Sequence, residues 1–107
     1  MKAPVIDAAR CEGASDMMVF MSRRWTSAIM LAGARGARRF GEYRRMVGGI
    51  SDRMLTLRLR ELEEHGLMRR EVVPSMPVQV LYHLTDSGRS LIQAVHAVAS
   101  WAAREGR

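Results

Sequence analysis

The clearest pattern of apolar and polar positions lies in the middle of the chain. Three leucines there recur at the spacing i, i+4 and i+7: Leu55, Leu59 and Leu62. In a helix this spacing forms one stripe that must face a core. Ser51 is a typical N-cap residue ahead of the stripe, and Gly66 behind it is typical of a helix end. The pattern predicts a helix from Ser51 to His65 with one buried side.

The opposite side of this predicted helix carries Arg53, Thr56 and Arg60, together with the apolar Leu57. A short helix is predicted just before it, over residues 41–47, and a Gly-Gly pair supplies a tight turn between the two. Two helices joined by such a turn, with arginines facing outward on the second, are typical of the helix-turn-helix motif that places side chains in a DNA major groove. DNA binding is therefore the leading hypothesis.

The segments before this motif have weaker patterns. Residues 1–14 show no strong periodicity and are predicted to form a flexible N-terminal arm. Ser15 is predicted to cap a short helix that runs through residue 21. Ser22 is predicted to cap a second helix over residues 23–34.

After Gly66 the period changes from that of a helix to that of strands. Two runs rich in β-branched and aromatic residues, 67–73 and 78–84, are separated by the segment Pro74–Pro77, which cannot continue either strand. Thr85 is then a candidate cap for a final helix over residues 86–104. The element order predicts a mainly α fold with a small β-hairpin (α+β). This is a winged helix-turn-helix, in a single domain over residues 15–107.

Charge adds weight to the DNA hypothesis. Seventeen Lys and Arg residues outnumber 11 Asp and Glu, which gives a net charge of +6, and all but one of the 17 cations are Arg. The planar arginine fork matches phosphate groups and guanine edges. A genomic bias toward arginine codons would produce the same excess, so the placement of the charge matters more than its size.

Several function classes find no support in the sequence. One cysteine excludes an intramolecular disulfide framework, and the three histidines share no metal-binding spacing. No cofactor is expected, and no catalytic arrangement or phosphate-binding glycine loop is visible, so an enzyme is not predicted. No apolar run is long enough to span a bilayer, and the N-terminal residues lack a signal-peptide core, so a cytoplasmic protein without membrane contact is expected.

The chain also resembles the HxlR-type winged-helix transcription regulators of bacteria. The pieces that carry the resemblance run in order over residues 11–102: Arg24-Trp25, Arg39-Phe40-Gly41-Glu42, Gly49-Ile50-Ser51, Met54-Leu55-Thr56, Leu59-Arg60-Glu61-Leu62-Glu63, Gly66-Leu67, Tyr82-His83-Leu84-Thr85, Gly88 and Trp101. The resemblance implies a homodimeric repressor or activator whose N- and C-terminal helices form the dimer. Many members carry Cys-Pro near the N-terminus, and in some that cysteine senses oxidants or electrophiles. This chain has Cys11-Glu12 there, and it has Leu81 where the family wing usually carries a charge.

The candidate DNA-contacting residues lie on the predicted recognition helix, before the motif and in the wing. They are Arg39, Ser51, Arg53, Thr56, Leu57, Arg60, Ser75 and Met76. Leu57 could touch a thymine methyl or pack on a neighbouring turn. The wing tip lacks basic residues, so its phosphate contacts are expected from the backbone N–H groups of Ser75 and Met76. A solvated surface role remains the alternative for each arginine singly.

The candidate dimer residues form apolar stripes on the first and last helices. They are Met17, Phe20, Met21, Leu91, Val95, Val98 and Trp101. Trp25 and Trp101 could instead line an aromatic ligand pocket, although their spacing favours core or dimer packing. Cys11 is a candidate redox sensor, against the alternative of a chance cysteine in a flexible arm.

The sequence thus predicts a regulator that binds double-stranded DNA as a homodimer on a pseudo-palindromic operator. It would respond to an oxidant or a small-molecule effector. Two rival hypotheses are a sequence-independent architectural DNA binder and a winged helix used only for protein interaction.

Overall fold

The computed structural model describes residues 7–107, which form five helices and one two-stranded antiparallel sheet. The elements in chain order are α1 (Ala8–Ser22), α2 (Thr26–Ala34), α3 (Phe40–Met46), α4 (Asp52–Glu64), β1 (Met68–Val73), β2 (Gln79–Leu84) and α5 (Asp86–Arg104). The predicted fold, mainly helical with a small hairpin, is confirmed.

The core is built around the leucine stripe of α4. Leu55, Leu59 and Leu62 are at most 1% exposed, and they lie in one buried cluster with Ile29 of α2 and Tyr43 of α3. Full burial of such a side chain stabilises the fold by about 1.5–3 kcal/mol relative to leaving it in water. The stripe therefore fixes which side of α4 faces inward and which side remains free.

The turn between α3 and α4 and the caps of α4 hold this helix in place. Gly49 has φ of +89°, a left-handed conformation that favours glycine, and the turn closes there. The Ser51 hydroxyl accepts a hydrogen bond from the Met54 N–H at 3.1 Å, as an N-cap should. The predicted helix and its cap at Ser51 are confirmed, with His65 as the C-cap.

The hairpin is tied to the helices along its β2 edge. Met68 pairs with Leu84 at its base and Val73 with Gln79 near its tip, so both predicted strands are confirmed to within one residue. The Tyr82 N–H donates to the Arg38 carbonyl at 2.7 Å, and the Tyr43 hydroxyl donates to the Tyr82 carbonyl at 2.8 Å. Burial raises the pKa of Tyr43 to about 12, so its hydroxyl stays a donor at neutral pH.

Helix α5 begins where the chain passes very close to the base of the hairpin. Thr85 caps it as predicted, because its hydroxyl accepts from the Gly88 N–H at 3.0 Å and donates to the Gly66 carbonyl at 2.7 Å. A Cβ placed on Gly88 would lie only 2.1 Å from the Leu67 carbonyl oxygen. Gly88 is thus required by a close approach of two backbone segments.

The N-terminal helices differ from the prediction. Helix α1 begins at Ala8 rather than Ser15, because the Asp7 carboxylate caps it by accepting from the Ala9 N–H at 2.8 Å. Residues 8–14 of the predicted arm belong to this helix, whereas residues 1–6 lie outside the described residues. The side chains of residues 8–14 are exposed, so no apolar stripe marks this part of the helix in the sequence.

The junction between α1 and α2 is also corrected. Ser22 is the last residue of α1 and does not cap α2. Helix α2 starts at Thr26, three residues later than predicted, because Trp25 adopts a left-handed conformation with φ of +81°. The Trp25 side chain packs against the buried core from this position.

Candidate DNA interface

The free side of α4 is a shallow concave surface. Its lining residues are Asp52, Arg53, Thr56, Leu57 and Arg60. They lie opposite the buried leucines, and Leu57 is 44% exposed. The structure therefore brings four predicted contact residues together on one surface and places Leu57 with the arginines rather than in the core.

Two polar candidates on α4 already have roles within the helix. The Thr56 hydroxyl donates to the Asp52 carbonyl at 2.8 Å, which leaves its methyl group and oxygen lone pairs for an external partner. The Ser51 oxygen accepts the capping hydrogen bond from Met54. Ser51 thus fixes the start of the helix and retains its hydroxyl proton and one oxygen lone pair for another contact.

An ion pair joins the two helices of the motif beside this surface. The Arg44 guanidinium of α3 lies 3.1 Å from the Asp52 carboxylate at the start of α4. Both side chains are more than half exposed, and such surface pairs contribute at most about 1 kcal/mol. The pair offsets the single negative charge on the concave surface without burying it.

Arg39 lies between α3 and the hairpin. Its guanidinium donates to Gln79 Oε1 of β2 at 3.2 Å. The Glu42 carboxylate accepts from the backbone N–H groups of Arg39 and Arg38 at 2.8 and 3.0 Å, and these hydrogen bonds hold the pKa of Glu42 below its ordinary value. Arg39 is exposed and its guanidinium lies beside β2 at the end nearer the tip of the hairpin, which suits a backbone phosphate contact.

The wing tip is arranged differently from the prediction. The Ser75 N–H donates to the Val73 carbonyl at 2.8 Å, and the Ser75 hydroxyl donates to the Pro77 carbonyl at 2.8 Å. The expectation that the Ser75 N–H is free for a phosphate is therefore wrong, because the loop uses this donor to close itself. Met76, in contrast, is fully exposed.

Sequence reasoning missed a polar cluster that fixes α4 against the α1–α2 junction. Arg58 donates through Nε to the Arg24 carbonyl at 3.0 Å, and its guanidinium pairs with Glu61. Arg23 pairs with the same carboxylate. Burial alone would raise the pKa of Glu61, but the hydrogen bonds and charges of the two arginines outweigh it and leave the pKa below its ordinary value. In the sequence, only the i, i+3 spacing of Arg58 and Glu61 indicates this polar cluster.

The predicted dimer residues divide into two groups. Phe20 is 5% exposed and its ring stacks on His65, with the ring centroids 3.9 Å apart. Its assignment to a dimer interface is wrong, because α1 uses it to pack on the end of α4. Of the others, Val98 and Trp101 are exposed, and Met17, Met21, Leu91 and Val95 are half-buried. An open apolar groove between α1 and α5 is lined by Ala14, Met17, Met18, Met21, Leu91, Ala94, Val95 and Val98.

The two tryptophans have different surroundings. Trp101 is 49% exposed on α5, whereas Trp25 packs on the core. Cys11 is exposed on α1.

Within residues 7–107, no group of three or more His, Cys, Asp or Glu side chains could hold a metal ion. Across that same range, no helix combines the length and the apolar character needed to cross a membrane.

Comparisons with known proteins agree with this geometry. A family model described as HxlR-like helix-turn-helix matches residues 20–107. The uncharacterized HTH-type transcriptional regulator YvaP of Bacillus subtilis (strain 168) is 37% identical over 93 residues, which cover 87% of this chain and 83% of YvaP.

Two solved structures are similar over almost the whole chain. A transcriptional regulator of the MarR family from Enterococcus faecalis V583 gives a TM-score of 0.83 at 30% identity and covers 99% of this chain and 94% of its own. Diamide-treated YodB from B. subtilis gives a TM-score of 0.76 at 31% identity, with 94% and 96% covered. The exposed face of α4, the hairpin beside it and these matches lead to one conclusion: the chain belongs to the HxlR-like helix-turn-helix family of DNA-binding transcriptional regulators.

Proposed function

We propose that this regulator binds a pseudo-palindromic operator as a homodimer and reads its sequence with the concave surface of α4. The observation that carries the proposal is that Arg53, Thr56, Leu57 and Arg60 share one exposed surface while the opposite side of the helix is buried. Because the buried leucines fix the rotation of α4 about its axis, the same four side chains face any bound DNA. Sequence discrimination requires such a fixed set of contacting side chains.

The chemistry of these side chains suits base edges in the major groove. An arginine fork can donate to both O6 and N7 of guanine, and each such contact contributes about 1–3 kcal/mol of discrimination. The exposed Leu57 offers an apolar contact for a thymine methyl. Arg39 and Arg44 would position the motif on phosphates at either side.

The central test compares operator with random DNA. We expect Arg53→Ala and Arg60→Ala each to weaken operator binding by about 5- to 160-fold, since about 1–3 kcal/mol is lost, and to weaken random-DNA binding much less. Arg104→Ala, at the far end of α5, is the matched control because it removes the same charge away from α4. Equal losses on operator and random DNA for both α4 variants would refute base reading by this surface.

The salt dependence of binding separates the two rival hypotheses. If a dimer neutralises about six phosphates, log K should fall with log salt with a slope near −5. A sequence-independent architectural binder would show a similar slope without discriminating the operator. A protein-interaction module would show little response to salt.

A regulator of chromosomal operators would act in the cytoplasm.

Redox control through Cys11 is a second candidate activity. Cys11 is exposed on α1, and the chain is similar over 94% of its length to a protein whose structure was determined after diamide treatment. As the only thiol, it could form an intersubunit or mixed disulfide. We expect diamide to change the operator affinity of the wild type and to leave Cys11→Ser unchanged. An unchanged wild-type affinity after diamide would rule out this switch.

A further inference from the structure

The wing of this protein has an uncharged tip above a charged base. No Asp, Glu, Lys, Arg or His side chain occurs from Val72 to Tyr82. Arg69 and Arg70, by contrast, are exposed at the start of β1, and Arg39 lies beside Gln79 of β2. Cations therefore lie on β1 and, through Arg39 at the N-cap of α3, beside β2, whereas the residues of the tip itself carry none.

The hydrogen-bond donors of Ser75 in the tip are used within the loop. Ser75 uses both its N–H and its hydroxyl within the loop, and the two flanking prolines have no N–H to offer. What the tip presents is apolar: Met76 is 100% exposed, Val78 61% and Val72 50%. A protruding loop that uses its serine donors internally and exposes its apolar side chains is suited to an apolar contact.

Apolar side chains continue from the tip onto the hairpin. Val72 pairs with Val80 on one face, and Val78 lies just before β2. Arg70 pairs with Tyr82 on this face nearer the base. At about 3.3 Å per strand residue, the tip lies roughly 10 Å or more beyond Arg70. A phosphate bound at the base would leave the tip in reach of the adjacent groove.

We propose that the wing inserts Met76 into the DNA minor groove as an apolar wedge beside a base step, while the arginines at its base hold the flanking phosphates. Methionine is among the side chains that enter the minor groove in this way, and the unstacking cost is lowest at flexible pyrimidine–purine steps. The exposed arginines on β1 and the Arg39 guanidinium beside β2 favour DNA over an apolar protein partner as the occupant. This inference rests on the proposed function and adds a specificity-determining residue outside α4.

Variants at Met76 give a direct test, because a fully exposed side chain can be changed without disturbing the fold. We expect Met76→Leu to bind the operator within about twofold of the wild type. Met76→Gln, which has a similar length but a polar end, and Met76→Ala should bind about 3- to 10-fold more weakly. The salt slope should stay the same for all three, since no phosphate contact is removed.

A second arm tests the base step itself. Replacing a pyrimidine–purine step under the wing by a purine–purine step should weaken the wild type and leave Met76→Gln unaffected. Equal affinity of all Met76 variants, or equal effects of the step change on wild type and variant, would overturn the proposal. Arg53→Ala distinguishes a failure of this proposal from a failure of the proposed function. If the Met76 variants bind normally but Arg53→Ala loses operator binding, only the wing proposal is wrong. If Arg53→Ala also binds normally, base reading by α4 is wrong as well.

The location of the tip can be measured separately. In a Cys11→Ser background, Met76→Cys carries the only thiol and can be labelled with an iron–EDTA reagent. We expect cleavage centred on one minor groove beside each α4 contact. The same label at Gln93→Cys, exposed on α5 away from its apolar stripe, should give no such pattern. Absence of minor-groove cleavage from position 76, or cleavage confined to the backbone at the base of the wing, would overturn the proposal.

Discussion

Gly88 allows α5 and the base of the hairpin to approach closely, because it has a hydrogen atom where other residues carry a Cβ. Helix α5 starts so close to the base of the hairpin that a Cβ at this position would collide with the Leu67 carbonyl oxygen. The oxygen belongs to the backbone, and the same carbonyl accepts a hydrogen bond from the Thr85 N–H at 3.1 Å. The clash therefore cannot be relieved by rotating a side chain.

The substitution Gly88→Ala should destabilise the protein even though alanine favours helices. We expect a loss of about 2–4 kcal/mol in the free energy of unfolding, measured by urea denaturation, because the Thr85–Gly66 contacts must open. Gly13→Ala is the matched control: Gly13 lies in α1, and a methyl group added there would meet nothing within 4 Å, so alanine should add up to about 1 kcal/mol. Similar stabilities for the two variants would contradict the close approach.

Other single residues can be predicted from the sequence only where their surroundings are local. The exposure of Leu57 follows from helical periodicity, because its three neighbouring leucines define the buried side. The prediction for Phe20 is wrong, because its contact with His65 joins positions 45 residues apart in the chain. No local pattern states which turn of α1 meets the end of α4.

At the scale of elements, α4 is held from its buried side by leucines and from its flank by the cluster of Arg58, Glu61 and Arg23. Glu61 has a pKa below its ordinary value of 4.5 in the folded protein, so its pairing stabilises the fold above that pH. The contribution is lost as the pH falls through the folded-state pKa. The stability of this junction should therefore depend on acidity.

The variant Glu61→Gln isolates that contribution. We expect it to be less stable than the wild type by about 1–2 kcal/mol at pH 7, and the difference should shrink as the pH is lowered below 4.5. Thermal unfolding across this range measures it. Glu64→Gln, exposed on the same helix, should have a smaller effect at pH 7. A difference that stays constant from pH 7 to pH 3 would show that the ion pairs contribute nothing.

Element boundaries follow from the sequence where a capping side chain and an apolar stripe agree. Helices α4 and α5 have both, and their predicted ends are correct to within a residue. Helix α1 has an apolar stripe only in its second half, and its start depends on the capping role of Asp7, which the prediction does not include. The left-handed Trp25 that separates α1 from α2 carries no sequence signal, because the residue is not glycine.

The part of the protein that the structure describes, residues 7–107, is elongated, with principal extents of 58, 30 and 23 Å. Of the 19 residues of α5, only Gly88 is buried, and of α1 only Phe20. Apolar side chains that a 107-residue chain leaves on two long helices would be covered by a second copy. The proposed dimer through α1 and α5 follows from this imbalance between apolar residues and buried surface.

Charge placed in the groove between α1 and α5 should separate the subunits without unfolding them. Val98 is 65% exposed in the single chain, so we expect Val98→Glu to keep the helical content and to sediment as a 12.0 kDa species at micromolar concentration. Gln93→Glu adds the same charge away from the apolar stripe of α5 and should remain dimeric. A wild type that sediments only as a monomer would refute the dimer.

The contact of Phe20 with His65 has a consequence for the operator. It fastens the end of α1 to the end of α4, so in the proposed dimer the distance between the two recognition helices would be set by how the two α1 helices cross. One extra base pair between half-sites would shift them by about 3.4 Å and turn them by roughly 34–36° around the DNA axis. A junction held by stacked rings and by one carboxylate, that of Glu61, shared between two arginines has little freedom to follow that turn, so the protein would bind only operators with one half-site spacing.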